Sequence, residues 1–295
     1  MGKIYKGLFC GGDIDVCVLD TTDVVNEAIS IHSLSPLCAA ALGRAMTATA
    51  FMASFLKNKD DRLSVTITGD GVGGQIVTCS DSALNVRGYM ENPHAELPLN
   101  DSGKLDVRGC VGSHGRISVV KSMGLKEPYT GSCHIVSGEL AEDFAAYYTF
   151  SEQVPTAMAL GVKIGVDGKC VGAGGVVFQV MPGAKEESIA AAEKMITEFN
   201  AVSSLVETIG ANGIIERFFP EVSFTPCECR YKCNCSEEYV SKMLITLGEK
   251  ELYETIDKVG KIQVECQFCP KKYTYYKEDV DKLLKDGSKG KGTNE

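Results

Sequence analysis

The sequence predicts an α+β fold: a largely antiparallel sheet with packed helices, then a helical linker, then a small cysteine-rich C-terminal domain. Three observations carry this expectation. Hairpin-spaced β-like runs alternate with helical stretches over residues 1–179. Helical periodicity takes over across residues 180–226. Six cysteines then crowd into residues 227–269, within a segment expected to end near 285.

Taken in order, VVNEAISIH (24–32) precedes a long apolar stretch, PLCAAALGRAMTATAFMASFL (36–56). Pro36 suits a first helical turn and Ser35 its N-cap. The stretch is long enough to cross a membrane, but Arg44 lies near its centre and Ala and Thr outnumber Leu and Ile. A buried central helix is the better expectation. RLSVTIT (62–68) and QIVTCS (75–80) read as strands joined by GDGVGG, followed by strand-like runs at 85–90, 115–122 and 131–138. After a helical stretch at 139–150, a hairpin is expected to turn at Asp167-Gly168.

Residues 184–219 carry apolar side chains at Ile189, Ala192, Met195, Ile196 and Phe199, then Leu205, Val206 and Ile209. That spacing marks amphipathic helices with Glu and Lys on the far face. The Gly- and Lys-rich ending, 286–295, reads as a disordered tail.

At 295 residues the chain can form about two domains with a core that needs no disulfide staples. A formal net charge of -9 argues against a nucleic-acid groove and against docking on an anionic membrane. The first residues show no apolar run of the secretory type, so a reducing cytoplasm is expected. There, thirteen cysteines are metal ligands, redox groups or small buried hydrophobes rather than structural disulfides.

Other motifs have plainer explanations. Gly69, Gly71 and Gly74 match G-x-G-x-x-G, but a strand follows where a dinucleotide site needs a helix, so a tight turn is expected. The four histidines are dispersed; His32 and His134 sit in apolar-periodic elements that suggest packing roles. Ser151-Glu152-Gln153 reads as a helix end.

The C-terminal cysteines differ. C-x-C followed by C-x-x-C supplies four thiolates from two short turns, the usual donor set of structural zinc, although an iron–sulfur cluster uses the same ligands. Cys235 precedes Ser236-Glu237-Glu238, a helix-start pattern whose N–H groups favour thiolates. The expected ligands are therefore Cys233, Cys235, Cys266 and Cys269, with one Zn2+ per chain and Cys227 and Cys229 to spare. Arg230, Lys232, Lys271 and Lys272 are placed to offset the negative centre. A C-x-C disulfide would be strained and easily reduced, so spacing alone leaves a permanent zinc knuckle and a redox switch both open.

CNCS…CQFC resembles the zinc centre of the redox-regulated 33 kDa chaperonin family, the heat-shock holdases. The resemblance extends over most of the chain, through TTDVVNEAISIHSLSPLCAAALGRAMTATAFMASFLK, GDGVGGQIV, VRGYMENP, YTG, SEQVPTAMALGV and AGGVVFQVMPGA. Two features depart from it: the extra CEC at 227–229, and GLFCGGDID where a more polar, Arg-containing stretch is expected.

The resemblance implies a cytoplasmic, ATP-independent chaperone and not an enzyme. It implies an inactive reduced form with zinc on four cysteines. Oxidation would form the Cys233–Cys235 and Cys266–Cys269 disulfides and release the metal. The linker and C-terminal domain would then loosen for unfolded clients, the active form being a homodimer. Two other functions use the same residues. A thiol–disulfide oxidoreductase would turn over disulfide substrates without metal, whereas a fixed zinc ribbon gripping a partner would keep its zinc under oxidant. The extra Cys227 and Cys229 lie close enough in sequence to exchange disulfides with an opened switch.

Overall fold

Ten strands in one sheet organise the first of two units, Met1–Lys232; the second unit begins at Cys233. The structure is a computed structural model that describes residues 1–124 and 127–289. In chain order the first unit comprises β1 (Gly2–Phe9), β2 (Ile14–Asp20), α1 (Thr22–His32), α2 (Pro36–Ala53), β3 (Arg62–Gly69), β4 (Ile76–Asp81) and β5 (Asn85–Met90). It continues through α3 (Val107–Val111), β6 (Gly115–Ser122), β7 (Tyr129–His134), α4 (Ala141–Tyr147), β8 (Thr156–Ile164) and β9 (Cys170–Val180). It closes with α5 (Glu186–Ile196), α6 (Val202–Phe218) and β10 (Phe224–Tyr231). The second unit holds α7 (Glu237–Leu247), α8 (Glu249–Val259), β11 (Ile262–Glu265), β12 (Lys272–Tyr275) and α9 (Lys277–Lys289).

The sheet order is β7-β6-β3-β4-β5-β10-β1-β2-β9-β8, antiparallel except where β10 meets β5. Strand β10 joins two groups of strands. Phe224 to Cys229 run antiparallel to β1, then Arg230 and Tyr231 pair in parallel with Asn85 and Val86. The α+β class and the largely antiparallel sheet are as expected, and so is the β8–β9 hairpin, with Gly168 at φ +78° in its turn.

Helix α2 lies against one face of the sheet and is buried along nearly all its length. Its small side chains permit close packing, and its buried hydroxyls and cap are matched to partners, whereas the Arg44 Nε is buried without one. Ser35 caps it, accepting a hydrogen bond from the Cys38 N–H at 3.2 Å. Thr47 and Thr49 pair with Thr21 and Thr78, each at 2.6 Å between hydroxyls. The Arg44 guanidinium donates to Glu139 Oε2 at 2.7 Å, which accounts for a charge in the middle of an apolar helix. Among the described residues no helix is long and apolar enough to cross a membrane.

On the opposite face, α5 and α6 cover β2 and β9. Ala192, Phe199, Val202, Val206, Ala211 and Ile214 meet Ile14, Val16, Val18, Val176 and Phe178. The segment expected as a linker thus folds onto the first unit, and its apolar stripe is the contact surface. Strand β2 is buried on both faces, with Cys17 and Leu19 turned towards α2. No strand is expected before residue 62 from local periodicity, because such a doubly buried strand shows no clean alternation. Its pairing with distant β9 supplies what local sequence lacks.

The glycines of GDGVGG form the expected turn into β4. The end of α3 presses on it, and a Cβ at Gly71 would lie 2.4 Å from the Cys110 carbonyl oxygen. His32 takes its packing role through a 3.1 Å contact with the Tyr231 hydroxyl, but His134 is exposed on β7, contrary to expectation. Gln153 ends the α4 stretch in a left-handed conformation, as Ser151-Glu152-Gln153 suggests. Helix α9 reaches Lys289, into the expected tail, whose remainder at 290–295 lies outside the described residues.

The cysteine-rich segment does not begin the second unit at residue 227. Cys227 and Cys229 belong to β10 and hence to the first unit, because their backbone closes the sheet beside β1. Cys229 is 1% exposed, packed against Ile4 and its neighbours in the core. Cys227 donates its thiol to the Ile4 carbonyl at 3.5 Å. Burial pushes the Cys229 thiol up to about 12 and raises Cys227 as well. Neither is a ready thiolate for exchange.

Two substitutions test these placements. Leu42→Ala, at a fully buried position of α2, should cost about 2–5 kcal/mol, read as a lower urea midpoint at unchanged m-value. Cys229→Ser should cost about 1–3 kcal/mol by burying a hydroxyl in the core, whereas Cys227→Ser should cost clearly less. Equal, negligible losses would place both thiols at the surface.

Candidate metal centre

The second unit has a small core: Val240, Leu244, Leu252, Ile256, Ile262, Tyr273, Tyr275 and Val280 are its buried residues among those described. Helices α7 and α8 pack by their apolar faces, and the β11–β12 hairpin adds two tyrosines. A core of this size does not ordinarily hold a segment of this length without a staple.

Four cysteines occupy two short turns. Cys233 and Cys235 immediately precede α7, whose N-cap Ser236 accepts a hydrogen bond from the Tyr239 N–H at 3.1 Å. Glu237 and Glu238 fill the first helical turn. Cys266 and Cys269 sit in the turn between β11 and β12, where the Cys266 N–H donates to the Lys271 carbonyl at 3.0 Å. The four Sγ atoms all lie within 4.8 Å of one another. Across the two turns, Cys233 and Cys266 are 3.6 Å apart and Cys235 and Cys269 are 3.3 Å apart. Sulfurs around a tetrahedral zinc, with bonds of about 2.3 Å, stand about 3.8 Å apart. The donor set therefore fits a metal that prefers four thiolates, and each cysteine is half-buried.

Hydrogen bonds are directed at the sulfurs. The Cys235 N–H points to the Cys233 sulfur and the Lys271 N–H to the Cys269 sulfur. The Tyr273 hydroxyl donates to Cys235 Sγ at 3.1 Å. Burial pushes the Cys235 thiol up, but Tyr273 and the neighbouring thiols outweigh it and hold the group down at about 7. Cys233 is raised, first by burial and then by hydrogen bonds to its neighbours. One thiol of the group ionises readily and the next resists, because a second negative charge so near is unfavourable in a partly desolvated site. A divalent cation is the species that lets all four ionise together.

The four cysteines expected from spacing are the ones brought together, all in the second unit. Arg230, expected to offset their charge, instead donates to Asn85 Oδ1 at 2.9 Å in the first unit's sheet. Lys271 is local to the site, its ammonium 5.1 Å from the Tyr273 ring centroid. Tyr273 was not apparent as a site residue from motif spacing. The alternation K-Y-T-Y after the second cysteine turn is the available signal, since a strand of period two aims Tyr273 and Tyr275 at the same side.

Comparison with known proteins agrees with this construction. The family model for Hsp33 protein matches residues 2–276. The 33 kDa chaperonin of Ruminiclostridium cellulolyticum is 44% identical over 275 residues, covering 91% of this chain and 93% of the relative. That of Acetivibrio thermocellus is 43% identical, covering 93% of this chain and 94% of its own. That of Staphylococcus carnosus is 42% identical, covering 96% and 97%. The crystal structure of the 33 kDa chaperonin (heat shock protein 33 homolog) from Thermotoga maritima superposes with a TM-score of 0.87 at 35% identity, covering 97% of this chain and 99% of that one. With matches of this length to both sequence and structure, the chain belongs to the Hsp33 family.

Proposed function

We propose that this protein is a redox-regulated, ATP-independent holdase of the cytoplasm, which binds unfolding proteins after its C-terminal cysteines are oxidised. The observation that carries the reading is the convergence of Cys233, Cys235, Cys266 and Cys269 in a unit whose own core is small. The chaperonin names of its relatives support the same class, which is a binding protein rather than an enzyme.

Zinc, when bound, supplies a cross-link between the two cysteine turns and stabilises the second unit by on the order of 10 kcal/mol. The residues do the rest. As thiolates the four cysteines hold the turns together and the protein stays inactive. With a peroxide or hypochlorous acid as oxidant, Cys233 bonds to Cys235 and Cys266 to Cys269. Each new S–S bond takes two electrons from the sulfurs to the oxidant's oxygen or chlorine. Disulfide sulfurs have given up the charge that held the cation. The turns lose their link, and a unit with eight buried core residues among those described has little else to keep it folded.

The client surface is then an apolar one normally covered. Helices α5 and α6 lie over Ile14, Val16, Val18, Val176 and Phe178, and Phe199 between them and Phe219 after α6 add to the same cluster. Helix α6 is interrupted at Gly210, with φ +64° and ψ 177°, so its two halves separate more readily than a continuous helix would. Release of these helices bares a two-layered apolar face for unfolded chains, and pairing of two such chains accounts for an active homodimer.

Oxidation at elevated temperature should release one zinc per chain, remove four titratable thiols and start suppression of client aggregation, with reductant reversing all three. Equal chaperone activity in reduced and oxidised protein would sink the reading. Turnover of disulfide substrates by the metal-free protein would favour an oxidoreductase, for which the Cys235 thiol near 7 is the supporting feature. Cys269→Ser should weaken zinc binding by at least about tenfold and leave residues 233–289 sensitive to protease without oxidant. Unchanged zinc content in that variant would remove Cys269 from the ligand set.

A further inference from the structure

We propose that Tyr273 is a positioning residue that sets the oxidation threshold of the cysteine centre, its hydroxyl quieting the Cys235 sulfur until the second unit loosens. The inference rests on the redox reading above and deepens it by naming what couples unfolding to oxidation.

Tyr273 lies mid-strand in β12, its backbone paired with Val264. The residue is 6% exposed and packs in the core of the second unit. The ring position is thus set by packing, and the hydroxyl reaches Cys235 Sγ at 3.1 Å. Among the described residues no other side-chain hydroxyl is recorded on the four sulfurs. Tyr275, two residues along the same strand, sends its hydroxyl away from them, 3.3 Å from Ser241 Oγ and 3.4 Å from the Glu237 carbonyl. One tyrosine therefore serves the centre, and its neighbour on the same face serves the α7 backbone.

A hydrogen bond to a thiolate draws charge from sulfur and lowers its nucleophilicity. Oxidation by a peroxide begins with that nucleophile. The Cys235 thiolate attacks one peroxide oxygen, an S–O bond forms and the O–O bond breaks. The products are the sulfenic acid and a hydroxide. The Cys233 thiolate then attacks the Cys235 sulfur, forming S–S and expelling a second hydroxide. Two electrons have passed from two sulfurs to two oxygens. The phenol opposes the first step as long as β12 and α7 keep their places. Loosening of the small core withdraws the hydroxyl and frees the sulfur, so heat and oxidant act on the same contact.

Tyr273→Phe keeps the ring and removes the donor. In the full-length, reduced, zinc-loaded protein, it should release zinc to a chelating dye under peroxide about three- to tenfold faster than wild type, with a weaker temperature dependence. Tyr275→Phe should stay within about twofold. Cobalt in place of zinc adds a readout that packing alone would not move. The thiolate-to-metal charge-transfer band should shift to longer wavelength in Tyr273→Phe and not in Tyr275→Phe. Fluorotyrosine at position 273, a stronger donor in the same volume, should slow release below the wild-type rate, which covers the case in which Tyr273→Phe folds poorly. Equal rates in all four proteins, or equal acceleration by both phenylalanine variants, would overturn the role of Tyr273. Zinc release by wild type without any restraint of aggregation would instead overturn the holdase reading, leaving the order of rates intact.

Discussion

Four thiols held within 4.8 Å of one another impose the governing constraint on the second unit. Sulfurs at that spacing cannot all ionise unaided, because each added charge raises the cost of the next. A cation that accepts four thiolates removes the cost and ties the cysteine turn before α7 to the turn between β11 and β12. The core beneath it is small, so a cation bound there would couple folding of the unit to ligation of the sulfurs. Under the proposed function, chemistry that withdraws charge from sulfur would then be chemistry that unfolds protein.

The first unit is built on the opposite plan. Its sheet is covered on both faces, by α2 on one and by α5 and α6 on the other, and the threonine hydroxyls buried in its interior are paired. Closure depends on β10, which meets β1 over six residues and β5 over two. The strands it joins, β1 and β5, both come from the first third of the chain, so the sheet is complete only once residues 224–231 have folded back onto them.

Thirteen cysteines are distributed in keeping with these plans. Burial raises the thiols of Cys17, Cys133, Cys170 and Cys229, the latter three to between about 11 and about 12. Cys38 departs from that pattern, held down at about 7 by its hydrogen bond to Cys110, but both are fully buried. The cysteines of the second unit's cluster are half-buried and so exposed enough to meet an oxidant. Selectivity among chemically identical groups is thus a matter of where the fold puts them.

The C-x-C and C-x-x-C turns, the capped start of α7, the buried helix α2 and the β8–β9 hairpin were all legible in the sequence. Each rests on interactions spanning a few residues: a cap, a turn, a period. Strands β1 and β2 were not, because β2 is buried on both faces and lacks alternation, and each strand also pairs with a partner more than 150 residues away, β10 and β9 respectively. The same limit hid the fate of CEC. By spacing Cys227 resembles Cys233, yet strand pairing carries one pair into the sheet and leaves the other at a helix start. Local sequence therefore determined which residue types could bind a metal and where the helices begin. Tertiary structure decided which cysteines share a site, which thiols are silenced by burial, and that a tyrosine hydroxyl from a neighbouring strand rests on one of the sulfurs, because those outcomes depend on distances between segments remote in the chain.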